Sequence, residues 1–136
     1  MILDAKNAVV GRLSTNVAKK LLAGERIIII NSEQAIFTGN PAQIKEKYSE
    51  RKARGSPQHG PFIPKRPDFL LRRIIRGMLP YKRPRGREAM KRLKIFIGFP
   101  EQANGKHIMI PDYVVKEIKT KYITLGNLSK SMGWNE

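Results

Sequence analysis

Residues Ile27 to Ile30 are four consecutive isoleucines, a β-branched run with no alternation of polarity. β-Branching favours extended backbone, and a strand that is apolar on both sides needs cover on both sides, which is the situation of an inner strand in a parallel sheet. The flanking sequence supplies the other parts of such a sheet. Met1 to Ala5 reads as a short strand. From Val10 to Leu22, at about 100° per residue, Val10, Leu13, Val17 and Leu21 fall within about an 80° arc, while Arg12, Asn16 and Lys19 lie opposite. That pattern predicts an amphipathic helix laid on a sheet, with Gly24 as its terminator. Strand, helix and strand make a βαβ unit, so the chain is of the α/β class.

Thr38-Gly39-Asn40-Pro41 is turn chemistry that leads into a helix from about Ala42 to Ala53, with Asn40 as N-cap and Pro41 at the first helical position. Between Gly55 and Pro67 the breakers Gly55, Pro57, Gly60, Pro61, Pro64 and Pro67 exclude regular structure and predict an extended arm. Asp68 then caps a predicted helix through Leu79. In it Leu70, Leu71, Ile74, Ile75 and Met78 occupy about a 140° arc, and Arg72, Arg73, Arg76 and Phe69 face the other way. Pro80 ends that helix, and Tyr81 to Arg87 reads as a basic, proline-interrupted turn before a short helix around Glu88 to Arg92. Ile95-Phe96-Ile97 reads as a third buried strand closed by Gly98 and Pro100, Tyr122 to Thr124 as an edge strand, and Leu128 to Met132 as a terminal helical turn. No repeat or composition break divides the 136 residues, which form one domain. A chain of this size buries roughly two thirds of its unfolded surface.

Formal net charge is +16, and +13 of it lies between Arg51 and Lys94, where fifteen cationic side chains meet only Asp68 and Glu88. Two carboxylates cannot pair fifteen cations, so the balance must come from a polyanion outside the chain. Nucleic acid fits better than a membrane surface, because the apolar residues opposite the basic face have a core to join. The tract comprises Arg51, Lys52 and Arg54, then His59, Lys65 and Arg66, then the helix face Arg72, Arg73 and Arg76. It continues through Tyr81, Lys82, Arg83, Arg85 and Arg87 to Lys91, Arg92 and Lys94. Lys offers a point charge to phosphate, and Arg adds a planar fork that also stacks on bases. Phe62, Phe69, Tyr81 and His59 are placed to stack on unpaired bases or to pack the arm on the body, with Tyr81 the stronger candidate for a nucleic-acid contact.

Other chemistries find little support. There is no cysteine, and His59 and His107 are a poor basis for a metal site. Gly11-Arg12-Leu13-Ser14 is neither a dinucleotide fingerprint nor a Walker loop, so Gly11 is read as permitting a tight turn and Arg12 as a further RNA contact. No nucleophile elbow or paired carboxylate motif is present, so neither an enzyme activity, a cofactor nor a small-molecule substrate is expected. The start lacks a positive n-region, and no run approaches the ~18 apolar residues of a membrane span, so the chain reads as soluble and unprocessed. A small nucleic-acid-acting enzyme and a free DNA-binding regulator are the competing readings.

The motif Ile75-Arg76-Gly77-Met78-Leu79-Pro80, five residues, Gly86-Arg87, five more and Leu93-Lys94-Ile95-Phe96-Ile97-Gly98 resembles the signature of the large-subunit ribosomal protein thirteen family, in its archaeal and eukaryotic branch. Asp4-Ala5, Gly11-Arg12-Leu13, Ala18-Lys19, Asn31-Ser32-Glu33 and Thr38-Gly39 extend the likeness through most of the chain up to Gly98. Leu22 to Ile27 joins helix to strand directly, where bacterial members carry an insertion, and the long C-terminal helix of eukaryotic members is lacking, which favours an archaeal source. The resemblance implies a three-layer α/β/α domain with a four-stranded, mainly parallel sheet. It also implies binding to large-subunit ribosomal RNA beside neighbouring ribosomal proteins, early assembly, and residence in the cytoplasm within the large subunit.

Overall fold

In a computed structural model the described residues are 1–54, 63–111, 114 and 119–135. The isoleucine run forms strand β2 (Ile27–Ile30), flanked by β1 (Ile2–Asp4) on one side and β4 (Leu93–Ile95) on the other. With β5 (Ile108–Met109) these make a four-stranded sheet in the order β4-β2-β1-β5, and every pairing is parallel. A second, two-stranded antiparallel ribbon joins β3 (Ile36–Thr38) to β6 (Tyr122–Thr124).

Register explains the unalternating isoleucines. Leu3 pairs with Ile29 and Ile29 with Ile95, and these share a sheet face with Ile27 and Leu93. That face carries the main core, under helix α1 (Val10–Leu22), helix α3 (Pro67–Gly77) and helix α4 (Pro84–Lys91). Ile2, Ile28, Ile30 and Ile108 point the other way, where Ala103 of the single-turn helix Glu101–Ala103 packs on them. The expected three layers are therefore present, and among the described residues the third is much the thinner.

Helix α1 buries Val10, Leu13, Val17 and Leu21 as its periodicity requires, and Lys19 and Lys20 sit favourably in its negative last turn. Gly24 ends it at φ +97°, its N–H donating to the carbonyl of Leu21 at 3.1 Å. Gly11 does not form a tight turn. It lies inside the first turn of α1 with open space where a Cβ would be, because the helix begins at Val10. Helix α2 (Pro41–Ala53) starts as read, the Asn40 side chain accepting from the N–H of Ala42 at 3.0 Å.

Several boundaries move. Helix α3 starts at Pro67 with Arg66 as N-cap, because a proline lacking an N–H and locked near helical φ is best placed at the first position. Asp68, expected as the cap, is buried one residue further in, where it accepts from the Phe69 N–H at 2.9 Å and pairs with Arg66 at 3.0 Å. The same logic starts α4 at Pro84, so the residues from Pro84 to Arg87 are its first turn and not part of a loop. The third strand is Leu93–Ile95, since pairing with Ile27–Ile29 sets its span. Phe96 adds one more bond to the Ile29 carbonyl, then the chain bends away to Gly98 at φ +70°. The terminal helix α5 spans Leu125–Ser131 and starts three residues before the expected Leu128 to Met132 turn, because the Thr124 hydroxyl caps it by accepting from the Asn127 N–H. Of the predicted arm, residues 55–62 lie outside the described residues, and 63–66 are irregular.

Helix α4 packs directly on the turn that precedes it. A Cβ on Gly86 would stand 2.0 Å from the Pro80 carbonyl oxygen and 2.7 Å from the Tyr81 nitrogen. Gly86→Ala should therefore cost about 1–3 kcal/mol through forced backbone movement. Gly11→Ala should stabilise by about 0.5–1 kcal/mol, since it removes a helical glycine into open space. Denaturant unfolding of the two variants beside the parent chain measures both signs.

Candidate nucleic-acid interface

The fifteen cations of the Arg51 to Lys94 segment divide by what their heads touch. Its two carboxylates each take one: Asp68 pairs with Arg66 at 3.0 Å and Glu88 with Lys91 at 3.3 Å. Three others turn inward to carbonyls at helix C-termini. Arg92 Nη2 donates to Leu21 O at 2.7 Å, at the end of α1. Arg72 donates to Met90 O at 3.3 Å, at the end of α4, and to Leu93 O at 3.1 Å. Lys52 Nζ donates to Met132 O at 2.6 Å, just past α5. A helix C-terminus carries unsatisfied carbonyls and the negative end of the macrodipole, so a cation there is doubly favourable. These bonds leave the charge in place, and Lys52, Arg72 and Arg92 still contribute to the basic field.

The outward cations gather most densely where α3 meets α4. Tyr81 N donates to Leu79 O at 2.8 Å and Arg83 N to Pro80 O at 2.9 Å, which closes the turn tightly. The Arg76 guanidinium lies 4.8 Å from the centroid of the half-exposed Tyr81 ring. Arg87 Nη2 donates to Lys82 O at 3.3 Å, and Lys82, Arg83, Arg85 and Arg87 are all exposed. No acidic residue lies in the first turn of α4, and its N-cap is Arg83. Cations here oppose the positive end of the helix, a placement that weakens folding and strengthens attraction for an anion.

Other cations of the tract line two clefts. Arg51 and Arg54 of the α2 end and Arg73 of α3 line one cleft with Tyr48, Ile63 and Ile74, where the Arg51 guanidinium lies 5.3 Å from the Tyr48 ring centroid. Burial raises the Tyr48 phenol above its ordinary value, with Arg51 pulling the other way, so the hydroxyl stays protonated at neutral pH. A second groove of about 470 Å³ collects Lys91, Arg92 and Lys94 together with Arg26. Sequence reasoning missed Arg26, which joins Lys94 only because β2 and β4 are neighbours.

Other candidates fall elsewhere. Arg12 lines a groove with Asn16, Lys20 and Met109, and among the described residues none of the central tract lines it. Lys65 is exposed and lies near Gly133, and Arg66 covers the exposed Phe69 ring at 4.6 Å. Phe69 thus faces outward as read, whereas Met78, expected in the core, is 43% exposed. His59 and Phe62 lie outside the described residues. Among the described residues no cluster of three or more His, Cys, Asp or Glu is placed to hold a metal ion, and no helix is long and apolar enough to cross a membrane.

Fold and surface together define a small, strongly basic α/β domain whose exposed cations concentrate around the turn between α3 and α4. The chain belongs to the Ribosomal protein L13 family, whose pattern matches residues 1–102. It is similar to the large ribosomal subunit protein uL13 of Methanopyrus kandleri, 47% identical over 98% of this chain and 86% of that protein. It is also similar to uL13 of Methanosarcina barkeri, at 47% identity over 97% and 96%, and to that of Haloarcula marismortui, at 38% over 100% and 92%.

The inward bonds of Arg72 make it a fold residue as well as a charge. Arg72→Ala should lower unfolding stability by about 1–3 kcal/mol by removing its bonds to the Met90 and Leu93 carbonyls. Arg54→Ala, on an exposed helix end, should stay within about 0.5 kcal/mol. Chemical denaturation separates the two.

Proposed function

We propose that this chain is a structural, non-enzymatic component of the large ribosomal subunit that binds large-subunit ribosomal RNA through its basic surface, next to other ribosomal proteins in the cytoplasm. Family membership supports the structural role. The observation that carries the RNA reading is the turn from Arg76 to Arg87, where exposed cations crowd the positive end of α4 with no carboxylate in its first turn. Such a placement is unfavourable in the free protein and becomes favourable once phosphates arrive. Arg76 held over Tyr81 supplies a planar cation beside an aromatic face, which suits folded RNA with splayed bases. Arg51, Arg54, Arg73, Lys82, Arg83, Arg85, Arg87 and Lys94 are the proposed direct contacts. Lys52, Arg72 and Arg92 act at longer range while holding helix ends.

Sedimentation of tagged protein from cell extract at moderate salt, with sequencing of the attached RNA, tests the assignment. The protein should travel with large subunits and large-subunit RNA, and recovery elsewhere without that RNA would refute it. With six to ten phosphate contacts, affinity for the RNA should fall on the order of a thousand- to a hundred-thousand-fold between about 50 and 200 mM salt. Replacing Arg85 by Glu should stabilise the free protein by about 0.3–1 kcal/mol through the α4 dipole. The same change should weaken RNA binding, so thermal unfolding and binding measurements should move in opposite directions.

A further inference from the structure

We infer that the outer edge of β4 takes up an extended segment of a neighbouring protein as an added antiparallel strand, with an apolar side chain of that segment seated beside Phe69. This docking rests on the reading that the chain works among other large-subunit proteins, and it gives the surface that meets one of them. Among the described residues β4 is an end member of the sheet, paired with β2 alone. In a parallel ladder one residue turns both backbone groups to its neighbouring strand, and the next turns both away. The Arg92 carbonyl accepts from the Ile27 N–H and the Phe96 N–H donates to the Ile29 carbonyl, so Leu93 and Ile95 face outward. Arg72 Nη1 donates to the Leu93 carbonyl at 3.1 Å, which closes the edge at that end. The Ile95 N–H and carbonyl have no hydrogen-bond partner among the described residues.

That outward donor and acceptor on one residue are what an antiparallel strand needs, since one of its residues exchanges both bonds with the residue opposite. The groove beside the edge measures about 420 Å³, and Asp68, Phe69 and Arg72 of α3 line it opposite Leu93 and Ile95. Charge argues against RNA here. The Asp68 carboxylate would face phosphate at close range, Arg66 is already paired with it, and the Arg72 head is bonded to two carbonyls. Phe69 supplies the apolar wall. Arg66 lies 4.6 Å over its ring and fixes its position, yet 49% of the residue is exposed. Protein edges are commonly kept short, charged or covered, because unpaired backbone beside apolar side chains recruits other chains. β4 is short, but the half-buried Ile95 and Ile97 and the exposed Phe69 leave its open side apolar. Side chains alternate along a strand, so a residue of the added segment that faces α3 sits against Phe69.

The test uses large subunits purified from cells in which Phe69 of the full chain is replaced by the photoreactive p-benzoylphenylalanine, irradiated and analysed by peptide mass spectrometry. The expected adduct joins position 69 to an apolar segment of a second large-subunit protein, identified by its sequence. An adduct to RNA or to a second copy of this chain would overturn the docking, as would no adduct in subunits that contain the chain. Absence of the chain from large subunits would instead remove the functional reading, and the docking with it. Two variants check the geometry. Phe69→Ala takes away the wall and no charge, so retention of the chain in salt-washed subunits should fall about tenfold, the loss of one apolar anchor. Its affinity and salt slope for a protein-free large-subunit RNA transcript should match the parent, since no cation is removed. Ile95→Pro removes the outward N–H and none of the bonds to β2, and it should give the same split. If thermal unfolding shows that this variant fails to fold, the Phe69→Ala comparison decides alone. Weakened transcript binding by Phe69→Ala, or its full retention in subunits, would overturn the docking and leave RNA binding standing.

Discussion

Strand β2 is the member on which the remaining elements depend. It is hydrogen-bonded on both edges, to β1 and β4, and apolar on both faces, so it sets the register of the sheet and the plane of the core at once. A parallel neighbour cannot be reached by a hairpin, and the chain must cross over the sheet between each pair. Those crossovers are α1 on one side of the sequence and the whole α2 to α4 region on the other. The basic segment therefore forms the second half of the connection between two adjacent strands, and it ends in β4 itself.

Being a crossover has electrostatic consequences. Each helix that packs over the sheet ends in unsatisfied carbonyls, and with so few acidic residues nearby the available cations become the caps. Arg92, Arg72 and Lys52 bond the ends of α1, α4 and α5. The same abundance leaves arginines at the start of α4, where they oppose the helix dipole. One residue type thus supports folding at one end of a helix and disfavours it at the other. The second placement is unfavourable in the free chain and suits the anionic partner proposed above.

The turn between α3 and α4 is where packing and charge meet. Gly86 lets α4 lie against the Pro80 carbonyl, and that close approach holds Tyr81 under Arg76 and aims Lys82 to Arg87 outward. A larger residue there would disturb the basic surface without touching a charged side chain. The glycine and the arginines around it therefore act as one unit, the former giving rigidity and the latter charge.

Much was legible from the sequence because the relevant physics is local. The β-branched run, the apolar stripe from Val10 to Leu21, the Asn40-Pro41 start and the Gly24 stop each depend on neighbours within a few residues, and each appears in the structure as read. Misplaced boundaries at Asp68, Glu88 and Ile95 trace to giving proline too little weight at helix starts and to a strand whose limits its partner imposes. Strands β3 and β5 were invisible, since two or three residues show no periodicity and their partners lie 84 to 106 positions away in the chain. The sequence by itself determined the α/β class, the inner strand and a surplus of positive charge concentrated in one segment. Only the tertiary structure decided where each cation points, because an arginine reaches a helix end or the solvent according to which carbonyls the fold brings within its reach.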